Sequence, residues 1–160
     1  MAWKRSVLVV ANKTASSDGL RQELRSRAAS GPTVFTLLLV AGRGQDADQL
    51  LGARLSELRE DGLEAEGCVG ESDPLFAILA VWDPAEYDEI LLSTLPVGSS
   101  RWLRADLPRR VERLTGAQVS HLVADAPRRR SRPDETRALP RRELEHGRSG
   151  IRSQPIGART

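Results

Sequence analysis

Apolar positions along this chain follow two alternating periods. Ser6 to Ala11, with three valines, and Val34 to Val40 are nearly unbroken apolar runs, the pattern of parallel strands covered by helices on both faces. They predict the central strands of a sheet. Between them Asp18 can cap a helix that carries Leu20, Leu24 and Ala28 on one face, and Gly31-Pro32 ends it. A second helix starts near Asp46 or Asp48, aligns Leu51, Leu55 and Leu58, and stops at Asp61-Gly62. Glu64 to Val69 reads as a weaker strand, interrupted by Gly67 and charged enough to sit at a sheet edge.

After Gly70 the pair Asp73-Pro74 predicts an N-cap and first-turn proline for a third helix, with Leu75, Ile78, Leu79 and Trp82 on one stripe and Asp83-Pro84 as its stop. Glu89 to Ser93 is the fourth strand, Thr94 to Arg104 a loop, and Leu107, Val111 and Leu114 mark a fourth helix closed by Thr115-Gly116. Val119 to Val123 is the fifth strand. Strands alternating with helical stripes call for an α/β fold, a doubly wound, five-stranded parallel sheet with helices on both faces and right-handed crossovers. Ligands of such sheets bind beyond the strand carboxyl ends, at the point where the winding reverses. The candidate site is therefore Asn12 and Lys13 after the first strand, Ala41 and Gly42 after the second, and the Ser93 to Asp106 loop.

Length and charge refine this outline. A chain of 160 residues suits one core, and its longest apolar run, Phe35 to Ala41, is far short of the roughly 20 residues that cross a bilayer. Neither a leader nor a membrane span is expected. A lone Cys68 excludes an internal disulfide and fits a reducing, cytoplasmic setting. The formal charge of +2 conceals a division at the end of the fifth strand. Residues 124–160 hold ten arginines against five acids, whereas the first 123 residues hold 14 basic and 17 acidic ones. We read 1–124 as the α/β domain and 125–160 as a basic, Arg/Pro-rich tail too poor in apolar residues to order itself. Its Arg128-Arg129-Arg130-Ser131-Arg132 run lacks aromatic neighbours for base stacking, so nucleic-acid contact is not expected.

The stretch Tyr87-Asp88-Glu89-Ile90-Leu91-Leu92-Ser93-Thr94, a Gly/Ser loop, a helix containing Arg110-Val111 and then Ala117-Gln118-Val119 together resemble the C-terminal half of a universal stress protein. Gly70-Glu71-Ser72-Asp73-Pro74 is similar to that family's third crossover. The resemblance implies a five-stranded parallel sheet, dimerisation through the fifth strand, and either an ATP-binding or a non-binding type. The binders carry an Asp after strand one and a G-x-x-G-x(9)-G-[ST] loop after strand four. Here Asn12 stands at the Asp position, only Gly98 of the loop glycines is retained, and the final pair falls on Ala105 and Asp106.

On the family pattern the pocket would draw on Asn12, Lys13, Val40, Thr94, Gly98, Ser99, Arg101 and Asp106. Pro96 removes one backbone donor, and Asp106 is expected to cap the fourth helix, occupying N–H groups and repelling phosphate. Arg101, Arg104, Arg109 and Arg110 can either offset that charge or form a solvated basic face. Asn12 suits an adenine or ribose edge and equally an Asx turn into Ser16-Ser17. Lys13 reads by default as a surface lysine, and Gly42-Arg43-Gly44 as a turn.

No catalytic set is visible. His121 alternates with Val119 and Val123 and reads as a packed or dimer-edge residue, His146 lies in the tail, and Asp83, Glu86, Asp88 and Glu89 read as capping and solvation rather than as metal ligands. Three readings follow. The first is a non-catalytic homodimeric regulatory or interaction protein, binding a protein partner or small ligand, with no cofactor expected and no tight ATP binding. The second is a nucleotide-binding regulatory module of variant geometry, taking ATP or another adenine nucleotide. The third is an enzyme of a related nucleotide-binding class. Pairing through Val119 to Val123 is the expected assembly.

Overall fold

Strands whose side chains are apolar at every position have no face to give to water, and both faces here are covered. In the computed structural model, which describes residues 3–96 and 98–124, the chain forms β1 (Arg5–Ala11), α1 (Asp18–Ser30), β2 (Thr33–Val40), α2 (Gln45–Glu60) and β3 (Glu64–Gly70). It continues through α3 (Pro74–Val81), β4 (Glu89–Thr94), the single turn α4 (Arg101–Arg104), α5 (Leu107–Thr115) and β5 (Gln118–Val123). All five strands are parallel, in the order β3-β2-β1-β4-β5. The strand borders lie within a residue or so of those the apolar runs predict, and the doubly wound architecture is the one expected. Among the described residues no helix is long and apolar enough to cross a membrane.

Alternate residues of each inner strand enter separate cores. Val7, Val9, Leu37 and Leu91 pack with Leu20, Leu24, Leu51, Leu55 and Leu58 of α1 and α2. Leu8, Val10, Leu38, Ile90 and Leu92 pack on the other face with Ala77, Ile78, Leu107 and Val111 of α3 and α5. Gly67 of β3 is a close approach rather than an interruption: a Cβ there would sit 2.6 Å from the Leu37 carbonyl oxygen and 2.9 Å from Leu51 Cδ1.

The caps show where local signals decide and where they do not. Asp73 accepts from Phe76 N at 2.9 Å with Pro74 behind it, as expected. Ser17, not Asp18, caps α1: its extended backbone lets Oγ accept from Leu20 N at 3.1 Å, and Asp18 becomes the first helical residue, where its charge favours the dipole. Asp61 stops α2 and also receives Arg21 and Arg25, with bonds of 2.7 to 2.9 Å. Arg25 first, then Arg21, hold its carboxyl below the usual carboxylate range.

Three expectations are corrected. The stripe on α3 is turned: Ala77 and Ile78 are buried while Leu79 is exposed, because a helix apolar on all sides leaves periodicity nothing to choose by. Leu114 of α5 is likewise exposed, past the point where that helix meets the sheet. The acidic group around residue 88 does more than cap and solvate. Asp83 does bond Ala85 N and Asp88 accepts from Ser6 N, but Glu89 is only 1% exposed and is paired with Arg5 and Arg27, with Ser120 Oγ donating at 3.1 Å. The tail, including the arginine run and His146, lies outside the described residues.

Removing one partner of a buried ion pair strands the other charge. Glu89→Gln should therefore lower unfolding free energy by roughly 3 kcal/mol, at the low end for such pairs because Arg5 is half exposed. Urea denaturation reads the difference, and a change near zero would show the pair to be dispensable.

Candidate functional site

The winding reverses between β1 and β4, since the first crossovers lead to β2 and β3 and the later ones to β4 and β5. The loops that leave these two strands must diverge there and open a crevice. A cavity of about 270 Å³ occupies it, lined by Asn12, Lys13 and Thr14 after β1 and by Ser93, Thr94, Leu95, Ser99, Ser100, Arg101 and Trp102 from β4 to α4.

Its floor is a locked pair of hydroxyls. Thr14 Oγ1 donates to the Ser93 carbonyl at 3.0 Å and accepts from Ser93 Oγ at 2.8 Å, with both residues buried. Thr94 Oγ1 lies 2.6 Å from Nε2 of His121 on β5. Partial desolvation lowers the pKa of His121, whose residue as a whole stays exposed on β5. The wall after β4 is a tight turn that consumes its own donors. Ser99 N and Ser100 N both donate to the Pro96 carbonyl, at 2.8 and 3.0 Å, Ser100 Oγ accepts from Leu103 N at 3.3 Å, and Arg104 donates to the Gly98 carbonyl at 2.8 Å.

What stays available is cationic and polar. Among the described residues, Lys13 and Arg101 line the cavity, no carboxylate does, and neither cation is salt-bridged. Asn12, Ser99 and the half-buried Trp102 supply the remaining surface. Such a lining offers positive charge, hydroxyl groups and one aromatic surface. A second hollow of about 340 Å³ lies at the amino ends of the strands around Arg5, Arg27, Glu23 and Glu89, where opposite charges already satisfy one another. Among the described residues no three His, Cys, Asp or Glu side chains gather as a metal site.

Of the residues singled out in the sequence, Asn12, Lys13, Thr94, Ser99 and Arg101 share this cavity. Val40 does not reach it; it is buried in the core under α3 and α5. Ala41 and Gly42 close the β2 end, where Gly42 N donates to the Gly70 carbonyl at 3.2 Å. Gly98 stands outside the lining.

Asp106 departs furthest from expectation. It is left-handed, at φ 50°, and its side chain caps nothing. Its N–H donates to the Leu103 carbonyl and its own carbonyl accepts from Arg110 N, so it serves as a one-residue hinge between α4 and α5. A residue with left-handed dihedrals cannot aim its side chain at the following helix as an extended N-cap does. Asp106 is not among the residues that line the cavity, and its side chain is exposed. Ser100 and Trp102 fall within the Ser93 to Asp106 loop expected to line the site, whereas Thr14 lies outside the expected positions, its one signal being its place directly after Asn12-Lys13 in a strand-end loop.

No protein-family model matches the chain, and no curated protein matches it. Among solved structures, a universal stress protein crystallised in complex with cAMP superposes with a TM-score of 0.56 at 17% identity, covering 79% of this chain and 100% of that one. A universal stress protein from Archaeoglobus fulgidus superposes at a TM-score of 0.48 and 20% identity, covering 73% of this chain and 92% of that one. The first of these likenesses, with the strand order and crossovers above, shows that the described residues adopt the universal-stress-protein fold.

Proposed function

We propose that this protein is a non-catalytic regulatory module of the cytoplasm whose switch-point cavity holds a small phosphorylated ligand of the mononucleotide class, and which works as a homodimer. The observation that carries the ligand reading is that Lys13 and Arg101 line one hydroxyl-rich hollow into which, among the described residues, no carboxylate is brought. The cAMP carried by a structurally similar protein fits the same chemistry, one phosphate and one planar base. A triphosphate fits it poorly. The backbone donors of Ser99 and Ser100 are already committed to Pro96, and a cavity of about 270 Å³ lies at the small end of ligand sites. Weak ATP binding is therefore retained from the sequence reading, for a reason other than Asp106. Support for a non-catalytic role comes from the floor, where the Thr14 and Ser93 hydroxyls engage each other and, among the described residues, neither is hydrogen-bonded to a His, Asp or Glu side chain.

The dimer reading rests on the two sheet edges. β3 carries Glu64 and Glu66, and Arg59 donates to the Ala65 carbonyl at 3.0 Å, devices that discourage strand addition. β5 has no charged residue and leaves Val123 exposed. An edge of that kind invites an isologous partner.

Calorimetric titration should find cAMP or AMP bound more tightly than ATP. Arg101→Ala should weaken it about 10- to 100-fold, the range for one charge-assisted bond, and Lys13→Ala should act in the same direction. Asp106→Ser should leave affinity unchanged. Equal binding by wild type and Arg101→Ala would remove the ligand reading.

Sedimentation at micromolar concentration should give a dimer that Val123→Glu converts to monomer. A wild-type monomer would end the dimer reading and leave the cavity untouched.

Because the folded state lowers the His121 pKa, the unfolded chain binds that proton more readily. Stability should be complete above the ordinary histidine pKa of about 6.5 and should fall as pH drops through the lowered value. Thermal midpoints between about pH 5 and 8 would show it, and His121→Gln should flatten the acid side of the curve. An unchanged slope in that variant would assign the acid sensitivity to other groups.

A further inference from the structure

The outer surface of α3 and α5 has a composition at odds with a free solvent face. α3 is Pro74-Leu75-Phe76-Ala77-Ile78-Leu79-Ala80-Val81, with no polar residue, although a helix apolar on all sides belongs in an interior. Only one side of it is covered: Phe76 is 63% and Leu79 44% exposed. The neighbouring α5, packed beside α3 on the same core, adds Leu114 at 57%. Arg110 stands four residues before Leu114 and so on the same flank of the helix. Arg109 and Arg113, also exposed, stand one turn apart beside it.

The arginines of this domain divide by region. Arg5, Arg21, Arg25, Arg27, Arg43 and Arg54 each meet a carboxylate. Among the described residues, Arg109, Arg110 and Arg113 meet none, although the first 123 residues hold 17 acids against 14 bases. Arginines without a carboxylate partner beside the exposed Leu114, on a helix packed against α3 with its exposed Phe76 and Leu79, are the makings of a binding face.

We propose that the α3–α5 face docks an acidic amphipathic helix of another protein, its apolar stripe on Phe76, Leu79 and Leu114 and its carboxylates on Arg109, Arg110 and Arg113. The charge pattern selects this occupant. A second copy meeting the patch isologously would bring the same arginines toward one another. The chain's own residues 125–160 are themselves arginine-rich. A flat anionic bilayer would have to cover the exposed Glu71 and Asp73 at the start of α3 together with the α5 arginines, whereas a single helix need not reach that end of α3.

The probe is a fluorescent 18-residue helical peptide with leucines at positions i, i+3, i+4 and i+7 of each repeat and glutamates on the flanks, beside a twin with lysines for the glutamates. Anisotropy should show saturable binding of the glutamate peptide to the full chain and none of the lysine twin. Phe76→Ser/Leu79→Ser, both at exposed positions, should weaken binding at least about tenfold with an unchanged circular dichroism spectrum, as expected for lost interface anchors. Arg110→Glu/Arg113→Glu should reverse the preference between the peptides. Equal binding of both peptides, or of neither, overturns the proposal. So does self-association abolished by Phe76→Ser/Leu79→Ser, which would assign the face to a second copy. Flotation with phosphatidylserine vesicles that the same variants abolish would assign it to a membrane and overturn the proposal equally.

Discussion

The backbone of β1 is bonded on both sides, to β2 from Arg5 to Ala11 and to β4 from Val7 to Val10, and its side chains fill both cores. Every other feature is placed relative to that strand. A parallel strand needs a covered crossover on each side, so helices must lie on both faces. With crossovers of one hand, β2 and β3 go to one side of β1 and β4 and β5 to the other. The crevice at its carboxyl end follows from topology before any side chain is considered.

The chemistry of that crevice results from competition for hydrogen-bond donors. A phosphate-cradling loop works when its N–H groups point outward and free. After β4 those groups turn inward to Pro96, and Ser100 tightens the turn by capping α4. Side-chain cations then have to supply what the backbone withholds. Lys13 follows β1 and Arg101 opens α4 after β4, and they line one cavity because β1 and β4 are neighbours.

Charge is distributed with similar economy of position. Early arginines are committed to carboxylates: Arg27 and Arg5 neutralise the buried Glu89, and Arg21 and Arg25 hold Asp61 at the end of α2. Arginines of α5 are left outside. A domain whose first 123 residues are net acidic thus presents one basic, partly apolar side.

Strands, helices, their stops and the location of the crevice could all be read in the sequence, because each depends on neighbours a few residues away. Apolar runs without alternation mark strands covered twice, Gly31-Pro32 and Asp61-Gly62 mark ends, and Asp73-Pro74 marks a beginning. Long-range pairings could not be read. Glu89 meets Arg5 across 84 positions and Arg27 across 62, and Thr14 meets Ser93 across 79. No local period encodes such distances, so a buried ion cluster looked like a solvated acidic run. Asp106 had the chemistry of a cap, but the backbone turn joining α4 to α5 gave it left-handed dihedrals and aimed it elsewhere. Residue type sets what a side chain can do; the path of the backbone sets what it can reach.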